Sequence, residues 1–348
     1  MSRLKKMDKK SLQLAGISVV LLIAVISLRG ELFLRPINLT FMMFQLVEPG
    51  LFALCIALAY LSRGIDLSIV STANLVAILN GMMLRYHISP DGSNVGLLLF
   101  FCVVIALAVG LTCGVINGTL ISKLGISPIL VTLGTQSAFM GISMGLTRGR
   151  AEGNFPQALI DFGNMRFGAV PLLTILFIIV FIIVCVIVHK TPYGLKLQWL
   201  GSNKKAAWFT GIDNARVTMI TYTLSGLLAA LAGLVIMART NSARADYGLE
   251  YVFQALLICV LAGISPLGGR GKVYNVLLSL VALQILSTGF NLMRISPMIR
   301  DSIFGFLLVF SLLLDFALEK YRNNKLNKQA LTKAASSSPP TPPPNDSA

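Results

Sequence analysis

The chain is 348 residues long, 55% hydrophobic and only 12% charged, with a mean hydropathy of +0.78; a soluble domain carries about a quarter charged residues. That balance excludes an ordinary soluble domain and predicts an all-α polytopic membrane protein. The formal net charge of +15 sits mostly in the ends and loops flanking apolar runs, where membrane topology accounts for it; membrane lipid is the partner it implies, and nucleic acid is not.

A hydrocarbon core of about 30 Å needs roughly 20 apolar residues at 1.5 Å rise. Ten runs of about that length are predicted, at 12–28, 40–62, 66–84, 95–121, 127–147, 171–189, 217–238, 250–265, 273–292 and 300–318. An even number places both termini on one side. With that side inside, the inner segments hold about two thirds of the 29 Lys and Arg, so both termini are expected in the cytoplasm. The first run has a basic flank, but Arg29 follows it and no small-residue cleavage site does; it is expected to be a retained anchor. Residues 1–328 read as one transmembrane domain and 329–348, with Ser-Ser-Ser-Pro-Pro-Thr-Pro-Pro-Pro, as a disordered cytoplasmic tail.

In the second run Glu48 precedes Pro49-Gly50. A carboxylate at depth costs several kcal/mol unless paired, neutralised or hydrated, and proline removes a helix hydrogen bond, so a broken helix is expected there. It could line a route for a polar solute, or Glu48 could simply reach interfacial water. Asn74, Asn80, Asn117, Gln136 and Gln254 are further candidates for such a route, with interhelical hydrogen bonding as the alternative role. Asp66 opens the third run and is expected to cap that helix, for ~1 kcal/mol. Gly110, Gly114 and Gly118, like Gly141 and Gly145, lie four apart on one helix face, which predicts close packing against neighbouring helices. The segment 148–170 is the long outer loop, and Phe155–Phe162 is expected to form a short amphipathic helix.

Between two apolar runs lies a polar island, Trp199-Leu-Gly-Ser-Asn-Lys-Lys-Ala-Ala-Trp-Phe-Thr-Gly-Ile212, expected to be a short cytoplasmic helix with Asn203 as N-cap and Gly211 as its stop. Lys204 and Lys205 fall in its first turn, where the helix dipole disfavours them by about 0.3–1 kcal/mol each. An acidic partner or anionic lipid would offset that. The loop 263–272 is glycine-rich and ends in Lys272, yet Pro266 stands where a phosphate loop needs its first glycine and Val273 where it needs Ser or Thr. It is not an ATP site. The two histidines, His87 and His189, cannot assemble a triad or metal cluster, and the five cysteines lie in apolar runs without a C-x-x-C partner. Neither catalysis nor a metal is expected.

Three segments carry a resemblance. Ser62-Arg-Gly-Ile-Asp-Leu-Ser-Ile-Val-Ser71, with Gly64, Asp66 and Ser68, is similar to the G-G-I-D-L-S-V-G-S pattern of permease subunits of bacterial ATP-binding-cassette (ABC) importers for ribose, xylose, galactosides and autoinducer sugars. The run Gly201–Ile212 resembles their cytoplasmic coupling segment, which puts ATPase coupling on Gly201, Asn203, Lys204, Lys205, Ala206, Ala207 and Gly211. Ala262–Val273 resembles their G-G-x-S-x-x-G-G-x-G-S-V loop through Gly268, Gly269 and Gly271. Arg63, Val70, Lys272 and Asn275 depart from the pattern, the first, second and last standing where glycine is expected. The resemblance implies a permease of the bacterial inner membrane paired with a second permease subunit, as homodimer or heterodimer. It also implies cytoplasmic ABC ATPase subunits that bind the ATP, no cofactor in this chain, and an extracytoplasmic solute-binding protein. A sugar or sugar-like solute moved by alternating access is the expectation. An importer permease for branched-chain amino acids and a secondary transporter coupled through Glu48 remain open beside it.

Overall fold

The computed structural model describes residues 9–87 and 95–336. In chain order these residues form α1 (Lys9–Phe33), α2 (Pro36–Gln45), α3 (Val47–Leu61), α4 (Ile69–His87), α5 (Val95–Ser122) and α6 (Pro128–Thr147). An outer elaboration follows: β1 (Glu152–Gly153), α7 (Gln157–Asn164), β2 (Arg166–Phe167) and β3 (Val170–Pro171). Then come α8 (Leu172–Lys190), α9 (Pro192–Ser202), α10 (Lys204–Phe209), α11 (Asn214–Thr240), β4 (Ser242–Ala243), α12 (Tyr251–Leu261), α13 (Tyr274–Leu292) and α14 (Pro297–Ser336). The strands form two small antiparallel ribbons, β1 with β4 and β2 with β3. The class is all-α and polytopic, as composition implied.

Among the described residues, eight segments are long and apolar enough to cross a membrane, α2 and α3 counting together as one of 26 residues. The third and eighth of the ten predicted runs are α4 and α12, which are not among the eight. Helix α12 is only 11 residues long, and α4 mixes Asn74, Asn80 and Arg85 with its apolar side chains. The boundary expected at 328 falls inside α14, which runs on to Ser336; residues 337–348 lie outside the described residues.

Helix α3 is the axis of the molecule. Every side chain from Val47 to Leu61 is buried, and α11, α12, α8 and α13 pack around it. The break expected at Pro49 occurs at Leu46, between α2 and α3. That places Pro49 in the first turn of α3, where its missing N–H leaves no bond unmade. Helices α1, α5, α6, α8 and α14 instead turn large apolar side chains outward, as a bilayer-facing ring must.

The two glycine series behave differently. On α5, a Cβ at Gly110 or Gly114 would lie 2.5 Å from the carbonyl oxygens of Gly226 and Tyr222, and one at Gly118 would lie 2.8 Å from Met219 Sδ, so α5 packs backbone to backbone on α11. On α6, Gly141 and Gly145 have nothing within 4 Å. The close packing expected of that second pair is absent among the described residues.

Candidate functional site

The three segments marked in the sequence converge at one end of the bundle. Helix α3 ends with Arg63 in the left-handed region (φ 65), its N–H donating to Tyr60 O at 2.9 Å and the N–H of Gly64 to Ala59 O at 2.9 Å. This is a Schellman stop, and it uses Arg63 at the position where a glycine was expected. The Leu61 carbonyl then accepts from Gly269 N at 3.1 Å. Gly268 and Gly269 both have positive φ (87 and 70); a Cβ on Gly268 would lie 2.6 Å from Arg63 Cβ and from Gly201 O, and one on Gly269 would overlap Ser202. A Cβ on Gly201 would overlap Leu61 O and Gly269 N. Only glycine allows three main chains to meet this closely. Gly271 (φ 133) packs in the same way against Ile264, and Gly64 against the Tyr222 hydroxyl.

Of the other departures, Asn275 is buried; its Oδ1 accepts from Ser11 Oγ at 2.8 Å and its Nδ2 donates to Ala262 O at 3.2 Å. It ties α1 to the glycine loop. The Lys272 ammonium lies 5.5 Å over the Tyr274 ring, and Val70 is buried in the core.

Helix α10 hangs from this node. Asn203 is its N-cap, Oδ1 accepting from Lys205 N and Ala206 N at 3.1 Å each. Its end is a second Schellman stop, with Gly211 (φ 79) donating to Trp208 O at 3.0 Å and Ile212 to Ala207 O at 3.1 Å. The helix expected between Asn203 and Gly211 is α10, while residues 199–202 of the polar island belong to α9. Ala207 faces the bundle and is buried, so of the two alanines only Ala206 is presented. Lys204, Lys205, Trp208 and Phe209 are exposed, the two aromatic rings meeting edge to face at 5.0 Å. Asn214 Nδ2 donates to Lys204 O at 2.9 Å and pins the helix to the start of α11.

Asp66 does more than cap. Helix α4 begins three residues later, and Asp66 Oδ1 accepts from Ser68 N (3.1 Å) and Ser68 Oγ (2.7 Å) while Oδ2 accepts from Ser225 Oγ at 2.6 Å. Asn117 Nδ2 donates to Ser68 Oγ (2.8 Å) and its Oδ1 accepts from Thr135 Oγ1 (2.8 Å). A buried chain of polar groups therefore joins the 62–68 segment to α11, α5 and α6. Ser225 and Thr135 had no mark in the sequence, since single hydroxyls in apolar runs are common; the adjacent Gly226, needed for close approach to α5, is the one local hint.

A second polar cluster lies further along the bundle. Glu48 is fully buried and its Oε1 pairs with Arg239 Nε at 3.0 Å, as an ion pair rather than an aligned hydrogen bond. Arg239 Nη1 donates to Phe44 O at 3.2 Å, filling the gap between α2 and α3, and Tyr247 donates to Glu48 Oε2 at 3.4 Å. Asn74 Nδ2 donates to Ala245 O (3.0 Å) and Tyr247 O (2.9 Å). Together these groups strap the segment between α11 and α12 against α3 and α4. The sequence showed that Glu48 needed a partner; Arg239, at the end of a distant run, was missed as that partner. The six candidate route residues do not share one surface. Glu48 and Asn74 hold the strap, Asn117 belongs to the Asp66 chain, Asn80 is buried on α4 with no hydrogen-bond partner, Gln254 is buried on α12 and Gln136 is half-buried on α6. Among the described residues no group of His, Cys, Asp and Glu is placed to hold a metal.

Comparison with known proteins is consistent with this arrangement. Residues 38–312 match the family described as branched-chain amino acid transport system / permease component. The chain is 32% identical over 299 residues to the autoinducer 2 import system permease protein LsrD of Photorhabdus temperata, an alignment covering 83% of this chain and 87% of the relative. It is 30% identical over 305 residues to the ribose import permease protein RbsC of Bacillus subtilis (strain 168), covering 86% and 91%. The LsrD of Klebsiella pneumoniae is 31% identical over 300 residues, covering 84% and 88%. No solved structure matches the chain. The matched region takes in all three converging segments, and eight apolar spans lie among the described residues; the chain belongs to this permease family and is a multi-pass permease subunit of an ABC importer of the inner membrane, a transport component and not an enzyme.

Proposed function

We propose that the imported solute is a sugar or a sugar-like molecule. Relatives aligned over more than four fifths of this chain are named for ribose and autoinducer 2, which favours a hydroxylated solute over a branched-chain amino acid despite the family's description. The candidate route residues fit that choice, being amides apart from Glu48, and Glu48 is committed to Arg239. That pairing also disfavours a secondary transporter coupled through Glu48. Asn80, Gln136 and Gln254 would meet the solute directly. Glu48, Asn74 and Asn117 would shape the route through the segments they hold.

The observation that carries the mechanism is the node where Leu61, Gly201 and Gly269 touch. In this reading the α10 end is cytoplasmic, as are both termini. ABC ATPase subunits, which bind the ATP, grip the exposed face of α10 through Lys204, Lys205, Ala206, Trp208 and Phe209. Their closure displaces α10, and the node passes the displacement to α3, the buried axis, without side-chain slack. The Asp66 chain spreads it to α5, α6 and α11, and the cavity changes side. A second permease subunit completes the pore, and a solute-binding protein meets the opposite end, near α7 and the β1–β4 ribbon. This chain needs no cofactor of its own.

Proteoliposomes holding the assembled importer test the reading, with radiolabelled ribose and leucine as competing probes. Uptake of ribose that leucine fails to compete, and that Ala206→Glu abolishes while the permease remains inserted, is the expected result. Uptake of leucine in preference to ribose would overturn the solute class. Normal uptake and normal ATPase co-purification by Ala206→Glu would overturn the docking role of α10.

A further inference from the structure

Two clefts in the membrane-embedded part of the molecule form one groove. The first, about 300 Å³, lies between α8 and α11 and is closed at its outer end by Leu159 and Phe162 of α7. The second, about 180 Å³, continues from it between the same two helices, and Val180 and Leu231 line both. Leu51 and Leu58 of α3 provide the floor. On α8 the lining runs from Leu173 to Ile187, about 21 Å at helical rise, or roughly two thirds of a hydrocarbon core of ~30 Å. Every lining side chain is apolar, so water gains no partners there. Left empty, the walls would forfeit their dispersion contacts.

Length, lining and setting point to what fills the groove. The groove is about one hydrocarbon chain long and lies open along the outward face of α8. A single hydrocarbon chain fits both the narrow section and the length. The groove is also continuous with lipid-facing surface: Ile179, Ile182 and Val186 of α8 are exposed on one bank, and on α5 the lining residue Val103 and its neighbour Leu107 are exposed on the other. We propose that this groove is a binding site for one acyl chain of a membrane phospholipid, held as a wedge between α8 and α11.

The wedge would set how closely α11, which carries Ser225 and Arg239, approaches α8. The test compares the full-length protein, purified in mild detergent, with Val180→Phe and Val235→Phe, which fill the groove from opposite walls, and with Ile179→Phe, which enlarges the lipid-facing side of α8. Native mass spectrometry counts retained phospholipid, and thermal unfolding follows delipidation and re-addition of palmitoyl-oleoyl phosphatidylethanolamine. Wild type and Ile179→Phe should retain one phospholipid more per chain than the two filled variants, and should gain thermal stability on re-addition where the filled variants do not. Equal retention and equal gain in all four proteins would overturn the proposal. So would filled variants that keep their phospholipid but lose cross-linking to a second copy of the chain, which would make the groove a subunit interface. If one filled variant fails to insert, the other carries the comparison from the opposite wall.

Discussion

The two polar regions of this permease are built by opposite means. At the α10 end, Leu61, Gly201 and Gly269 meet main chain to main chain, with no side chain between them. Along the bundle, the strap between α11 and α12 is held by long side chains, Glu48 with Arg239 and Asn74 with two carbonyls. The first arrangement has no rotamers to absorb a displacement. The second can part by exchanging its bonds for water. The difference matches what the proposed cycle asks of each end: one would transmit a push, and the other would separate to let a solute pass.

Substitutions can break that contrast. The largest effect is expected at the ion pair: Arg239→Ala leaves Glu48 buried without its countercharge, which costs about 3–5 kcal/mol, and thermal unfolding in mild detergent should show a marked loss that the double variant with Glu48→Gln partly restores. Next is Gly201→Leu. It forces side-chain atoms into Leu61 O and Gly269 N, a loss of about 1–3 kcal/mol or more, and uptake should fall further than stability does because the transmission path is displaced. Uptake that tracks stability alone would remove the special role of the node. Asn117→Ala cuts the chain between Ser68 and Thr135 at a cost of about 1–3 kcal/mol; a stimulated ATPase rate with reduced uptake would mark uncoupling. A sharper control comes from the glycine series. Gly114→Leu should unseat α5 from α11, while Gly141→Leu, facing open space, should change the stability of the single chain by no more than about 0.5 kcal/mol. The smallest effect is at Arg63, a non-glycine residue in the left-handed region, where Arg63→Gly should stabilise by up to about 1 kcal/mol as read by the same unfolding measurement.

Much of the node was legible residue by residue. Asn203 as cap, Gly211 as stop and the glycines of 268–271 were all marked, because caps and positive-φ turns depend on a few neighbouring residues. Their convergence was not, since nothing local says that residues 61, 201 and 269 share one point. The same limit explains Asp66. Its position before a helix predicted a cap, yet its second oxygen turns to Ser225, and only the packing of α11 brings that hydroxyl within reach.

Composition and periodicity by themselves determined that the chain is an all-α membrane protein, roughly where its apolar runs lie, and that Glu48 would need a partner. These follow from transfer of side chains between water and hydrocarbon, a property each residue carries wherever it sits. Tertiary structure alone decided that α3 is the buried axis, that α12 is an 11-residue helix rather than a full span, that Arg239 answers Glu48, and that one glycine series is packed while the other is bare. Those outcomes depend on which helix lies beside which, and in a membrane that choice rests on shape and a few hydrogen bonds rather than on hydrophobicity, which neighbouring helices and lipid share alike.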